Sequence, residues 1–190
     1  MEVIERMKDM PGAHDEIVVS RDECDELAKR IEDTCRRRGV FVCCAESLTG
    51  GLLADSFVRI PGASDVFLGS AVTYAIAAKA HILGVDAALL EREGAVHPDV
   101  AKQMAVGAVA AYSVPPARRG SVIGLSTTGV AGPGPDGDKP AGLVYVGFAV
   151  PSPHGLDVQA EELRLHGSRE DVRHAVVLRV LQSLAARLGL

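Results

Sequence analysis

The sequence predicts a three-layer α/β/α fold with a mixed sheet that includes a late antiparallel hairpin. Three observations carry this expectation. Through the first two thirds of the chain, short apolar or β-branched runs alternate with stretches of helical periodicity, the pattern of strands joined by helices. Near the C-terminus, "LVYVGFAV" (143–150) and "LDVQAEELRLH" (156–166) flank "PSPHG", which reads as a hairpin. The 190 residues are 47% hydrophobic but only 4% aromatic and contain no Trp, so a sizeable core must be built from Val, Leu, Ile and Ala.

Residues 1 to 18 are expected to form a flexible N-terminal extension, with Pro11-Gly12 breaking any periodic pattern. Residues 19 to 190 are expected to form one domain. Ser20 opens the first helix, and Glu23 completes an S-x-x-E capping box. Cys24, Leu27, Ala28, Ile31 and Cys35 recur at helical spacing, and Gly39 supplies the stop. "VFVCCA" (40–45) reads as a buried strand. "TGGLLADSFVRI" (49–60) reads as a helix ended by Pro61-Gly62, and "VFLGSAVTYA" (66–75) as the second strand.

Residues 76 to 83 form a short helix stopped at Gly84. A second short helix is capped by Asp86 and stopped at Gly94. Pro98 suits the first turn of a helix reaching about residue 112, with His97 as a polar cap before it. "SVIGLS" (121–126) is the third strand, and a Gly/Pro-rich loop fills 127 to 142. Ser168 caps the final helix, 169 to 188, with Asp171 at its third position.

The bulk chemistry excludes several classes. Twenty Lys and Arg against 25 Asp and Glu give a net charge of -5, which disfavours a broad nucleic-acid surface. The first 16 residues lack the apolar core of a signal peptide, and no apolar stretch reaches membrane-spanning length. Cysteines 24, 35, 43 and 44 form neither a C-x-x-C pair nor a zinc pattern, and four free thiols fit a reducing cytoplasm. The histidines show no H-E-x-x-H arrangement, and no G-x-S-x-G elbow is present.

Four segments carry candidate chemistry. In "AESLTGG", Ser47 lies between a strand and a helix, at the carboxyl edge of the sheet where α/β proteins bind ligands. Ser47 is there a nucleophile, or Ser47 or Thr49 is only the cap of the next helix. Glu46 reads as a solvated or salt-bridged acid. Gly50 and Gly51 would let a substrate approach the backbone, and the helix N–H groups would receive an oxyanion. "TYAIAAKA" holds Tyr74 and Lys79. A serine needs a base, and a buried lysine can serve; the plainer reading is a solvent-facing lysine and a core or edge tyrosine.

"LSTTGVAGPGPDGDKPAG" lacks the order of a phosphate loop, and its prolines remove donors such a loop needs. It is a surface loop or a substrate-lining one beginning at Thr128 and Gly129. Asp136 and Asp138 lack calcium-loop spacing and read as solvated. Arg169 and Arg173 crowd a helix start that disfavours cations, either for an anionic ligand or for a salt bridge to Glu170.

Taken in order, "AESLTGG", Tyr74 with Lys79, "TGVAGP" followed by "KPAGLVYV", and "GSREDVR" resemble the CinA C-terminal domain family, the nicotinamide mononucleotide deamidases. "ILGVD" and "GAV" add to the match, which covers about residues 20 to 190. The resemblance implies a stand-alone Ser/Lys amidohydrolase that converts nicotinamide mononucleotide to nicotinate mononucleotide and ammonia. Carried over by position, Ser47 is the nucleophile and Lys79 the base, with Tyr74 and Thr128 supporting the site by hydrogen bonds. Thr49, Gly50, Gly51, Thr128, Gly129, Arg169 and Arg173 are the substrate-binding set. It implies no cofactor and no metal, a small nucleotide as substrate, no nucleic-acid or membrane partner, and a homo-oligomer, a dimer favoured. Two departures stand out: many relatives read "ESCTGG" where this chain has Leu48, and "YSNEAK" where it has Ala75, Ile76 and Ala77.

Overall fold

The structure, a computed structural model, describes residues 20–114, 118 and 120–190; the expected extension over 1–18 lies outside them. Among the described residues, a five-stranded mixed sheet carries three helices on each face. The strands are β1 (Phe41–Glu46), β2 (Phe67–Val72), β3 (Val122–Gly129), β4 (Leu143–Ser152) and β5 (Gly155–Arg164). Their spatial order is β2-β1-β3-β4-β5. β1 runs parallel to both β2 and β3, while β4 and β5 add antiparallel, closing the expected hairpin.

Helices α1 (Arg21–Arg38), α2 (Leu52–Val58) and α6 (Arg169–Arg187) cover one face of the sheet. Helices α3 (Ile76–Leu83), α4 (Ala87–Glu93) and α5 (Pro98–Tyr112) cover the other. The periodic residues of α1 face inward: Cys24, Ala28, Ile31 and Cys35 are buried against β1 and α6. Helix α6 buries a stripe that includes Val172, Val176, Val180, Leu181 and Leu184. Each such side chain removed from water contributes about 1.5–3 kcal/mol, so this stripe fixes α6 and the arginines at its start.

Several boundaries move for physical reasons. Ser20 flanks α1 without making a side-chain cap, so the expected box with Glu23 does not form; the box at Ser168 and Asp171 does. Asp86 caps α4 and His97 caps α5, as their positions suggest. Helix α2 starts at Leu52 rather than 49, because Gly50 (φ 56) and Gly51 (φ 103) hold left-handed backbone that a helix cannot continue through. β2 ends at Val72, which leaves Tyr74 past the strand and 64% exposed. β3 runs three residues beyond its expected end, since Thr127 and Thr128 pair with Val146 and Tyr145 of β4. Thr128 and Gly129 are therefore strand residues, and the loop begins after them.

Candidate active site

The turn between β1 and α2 is built around a buried carboxylate. Glu46, the last residue of β1, has no exposed surface and no ion-pair partner among the described residues, contrary to the expectation of a solvated or salt-bridged acid. One of its oxygens accepts from Thr49 Oγ1 (2.8 Å), Gly51 N–H (2.9 Å) and Leu53 N–H (3.1 Å). The other accepts from Ala54 N–H (3.0 Å) and Ser70 Oγ (2.8 Å). A helix start leaves its first N–H groups without partners in the helix itself, and here Glu46 takes them. Neither Ser47 nor Thr49 is the cap, and the free N–H groups expected at this helix for an oxyanion are already engaged.

Thr49 is fully buried, shared between Glu46 and Thr127 (2.8 Å). Arg173 holds the same turn from α6. It donates to the carbonyls of Leu48 (3.0 Å) and Thr49 (3.1 Å) and pairs with Glu170. With its core and hinge fixed this way, the turn presents Ser47, 8% exposed, toward the face of α3.

Lys79 arrives from that side. Lys79 and Leu83, one turn apart, are the buried residues of α3, so the helix face that seats it against the fold also buries its ammonium group. Its Nζ lies 3.0 Å from Ser47 Oγ, 2.7 Å from the Thr73 carbonyl and 3.4 Å from that of Tyr74. Burial disfavours the charged form and lowers its pKa from 10.5 to about 8. A neutral amine keeps two N–H groups and one lone pair. With both N–H groups on the two carbonyls, the lone pair is left for the Ser47 hydroxyl proton.

A cavity of about 280 Å³ opens beside this pair. Of the sequence-predicted residues, Ser47, Lys79, Tyr74, Thr128, Gly129 and Arg169 line it. Thr128 Oγ1 donates to the Ala95 carbonyl (2.7 Å), tying the 94–97 turn to the cavity wall. Arg169 donates to the Gly132 carbonyl (2.7 Å) and to Tyr74 Oη (3.3 Å) at the rim. The structure does not bring Thr49, Gly50, Gly51 or Arg173 to the lining; they shape the turn behind Ser47. Leu48, Ile76, Val96, Val130 and Asp136 line the cavity in addition. The sequence signal for Val96 was the "GAV" segment. Leu48 stands out in the sequence as a departure within the nucleophile segment and Asp136 as a solvated loop acid, but only folding brings their loops to the same wall.

One further feature bears on chemistry. The Leu48 and Thr49 N–H groups find no acceptor among the described residues. The Leu48 carbonyl points to Arg173, and a trans peptide directs its N–H the opposite way, so the Thr49 N–H faces away from α6. Among the described residues no group of three or more His, Cys, Asp or Glu side chains is gathered as for a metal ion, and no helix is long and apolar enough to cross a membrane.

Known proteins resemble this chain in sequence and in fold. The family model described as the CinA C-terminal domain matches residues 24–188. A CinA-like protein from Frankia casuarinae is 42% identical over 153 residues, which are 80% of this chain and 33% of that protein. One from Chlorobaculum tepidum is 42% identical over 153 residues, with 80% and 34% covered. The chain thus spans about a third of the length of these curated relatives. Among solved structures, the competence/damage inducible protein CihA from Agrobacterium tumefaciens superposes with a TM-score of 0.78 at 35% identity, covering 88% of this chain and 96% of that one. The competence damage-inducible protein A from Klebsiella pneumoniae gives 0.78 at 26% identity, covering 87% and 97%. The chain, with its mixed sheet and its Ser47–Lys79 cleft, belongs to the CinA C-terminal domain family.

Proposed function

We propose that the chain is a Ser/Lys amidohydrolase that hydrolyses the carboxamide of nicotinamide mononucleotide to nicotinate mononucleotide and ammonia. The observation that supports this most is the 3.0 Å approach of buried Lys79 Nζ to Ser47 Oγ. Neutral Lys79 takes the Ser47 proton while Oγ attacks the amide carbon. The oxygen of the tetrahedral intermediate is received by the unengaged Leu48 and Thr49 N–H groups, the role played elsewhere by the N–H that follows a nucleophilic serine. Protonated Lys79 then returns its proton to the leaving nitrogen and ammonia departs. Water attacks the acyl ester, giving its proton to Lys79, and the carboxylate product is released with Ser47 restored.

Arg169 at the rim is the cation for the substrate phosphate, and Tyr74 Oη steadies its guanidinium. Ile76 favours a second reading within the same chemistry. It is 53% exposed and lines the cavity where many relatives carry a polar residue, which suits a different carboxamide. A purely regulatory module has no use for a lysine desolvated against a serine. Ammonia release from nicotinamide mononucleotide, nicotinamide riboside, nicotinamide and simple aliphatic amides separates the readings. Turnover led by the mononucleotide supports the proposal; turnover led by another amide supports the second reading; none with any carboxamide sinks both.

A further inference from the structure

We propose that the outer face of α3, flanked by the open edge of β2, is the surface on which a second copy of this chain docks. The proposal does not depend on the hydrolase reading and starts from charge. Charged residues make up 24% of the chain, yet from residue 66 to 85 the single charged side chain is Lys79, and it is buried. Both β2 and α3 lie within this stretch.

A surface helix turns an apolar stripe inward and shows charge to solvent. Helix α6 does so, exposing Arg169, Glu170 and Arg179, and α4 exposes Glu91 and Arg92. Helix α3 departs from that pattern. It buries Lys79 and Leu83 and exposes Ile76, Ala77, His81 and Ile82, so apolar residues stand on its outer side as well. Among the described residues eight large hydrophobic side chains are exposed, and four of them, Val72, Tyr74, Ile76 and Ile82, fall within residues 72 to 82. All four are at least half exposed. A contiguous apolar patch of a few hundred Å² marks a surface that a partner covers.

The neighbouring strand continues the pattern. β2 is an edge of the sheet, is partly exposed along its length and carries no charge. The opposite edge, β5, carries Asp157, Glu161, Glu162 and Arg164, the charges that keep an edge from pairing. One edge is thus guarded and the other is not.

Charge also selects the occupant. Each copy has a net charge of -5, so two copies repel through most of their surfaces. They meet without opposed like charges where charge is absent, and the α3 face is such a place. A two-fold interface sets a patch against itself, and an uncharged apolar face is complementary to itself. A partner with a charged surface would instead leave its charges unpaired against Ile82 and Val72. Together with the β2 edge, the face extends toward the roughly 800 Å² per partner that a stable dimer buries.

Sedimentation velocity over a dilution series of the whole chain tests this, comparing wild type with Ile82→Glu and Ala77→Glu. Tyr74 and Ile76 line the cavity and are left intact; Ala77 and Ile82 do not line it. Both substituted positions are exposed in the single chain, so circular dichroism should show an unchanged fold. Wild type should be a dimer that dissociates on dilution. Each glutamate enters both sides of a two-fold face and should raise the dissociation constant at least about tenfold. Leu190→Glu, at an exposed apolar position beyond the end of α6, should dimerise as wild type does. A wild-type monomer at every concentration would overturn the proposal. So would a dimer that both α3 variants leave unchanged, or one that Leu190→Glu weakens as much as they do.

Discussion

Glu46 and Leu53 are joined by a hydrogen bond of 3.1 Å from the Leu53 N–H to the Glu46 carboxylate, seven residues back along the chain. That bond, with those from Gly51 and Ala54, makes a strand residue the cap of the helix after the nucleophile. The helix start is therefore closed to outside anions, and the carboxylate fixes the turn on which Ser47 sits. Glu46→Gln puts an NH2 group where at least two donors now point. Each buried donor left without an acceptor costs about 1–3 kcal/mol. The Ser70 hydroxyl can turn to accept from that NH2 group, but at least one backbone N–H cannot, so urea unfolding should show a loss of at least about 1 kcal/mol. The surviving folded enzyme should also have a lower kcat, because Ser47 and its adjacent N–H groups shift. An unchanged midpoint and kcat would show that the carboxylate does not hold the turn.

Much of this was legible in the sequence, and the part that was not has a common cause. Helix α1 followed from Cys24, Ala28, Ile31 and Cys35, and α6 from Ser168 and its apolar stripe, because local periodicity and capping encode them. Ser47 and Lys79 are legible as residue types, but their contact spans 32 positions and only the packing of α3 against α5 and α4 brings Lys79 to the end of β1. Glu46 was misread because a carboxylate in sequence is solvated by default. Its burial depends on five donors drawn from residues 49 to 70. Arg173 reads in sequence as an anion-binding or salt-bridging residue; it does pair with Glu170, but it lies outside the cavity lining, and its hold on Leu48 and Thr49 depends on the docking of α6.

Glu32 of α1 gives a pH prediction away from the site. It is fully buried and neither carboxyl oxygen has a hydrogen-bond partner, and burial raises its pKa from 4.5 to about 7. Between those values the folded protein binds more protons than the unfolded chain, so this group's contribution to stability falls as pH rises from about 4.5 through about 7. Glu32→Gln cannot ionise. It should be more stable than wild type at pH 8, by on the order of 2 kcal/mol, with the gain gone near pH 4.5. Chemical unfolding at both pH values checks this; a gain that does not change with pH would contradict it.

Arg169 gives a prediction about the anion. If it binds the substrate phosphate, nicotinamide mononucleotide should be turned over with a higher kcat/KM than nicotinamide riboside. Arg169→Met should then lower that preference by about 1.5–3 kcal/mol, the range for a hydrogen bond to a charged group. The riboside rate should change little. Equal kcat/KM for the two substrates in the wild-type enzyme would remove Arg169 from this role.

The pairing of Ser47 with Lys79 is tested most directly by kcat for ammonia release from nicotinamide mononucleotide, measured across pH for wild type and Lys79→Met. With a pKa of about 8, Lys79 is unprotonated in roughly a tenth of molecules at pH 7, far more than an exposed lysine. Wild-type kcat should therefore rise with pH through a midpoint near 8. Lys79→Met keeps the length and loses the base, so kcat should fall by about 10²–10⁴ and the midpoint near 8 should vanish. Near-wild-type kcat with the same pH profile in Lys79→Met would contradict the account.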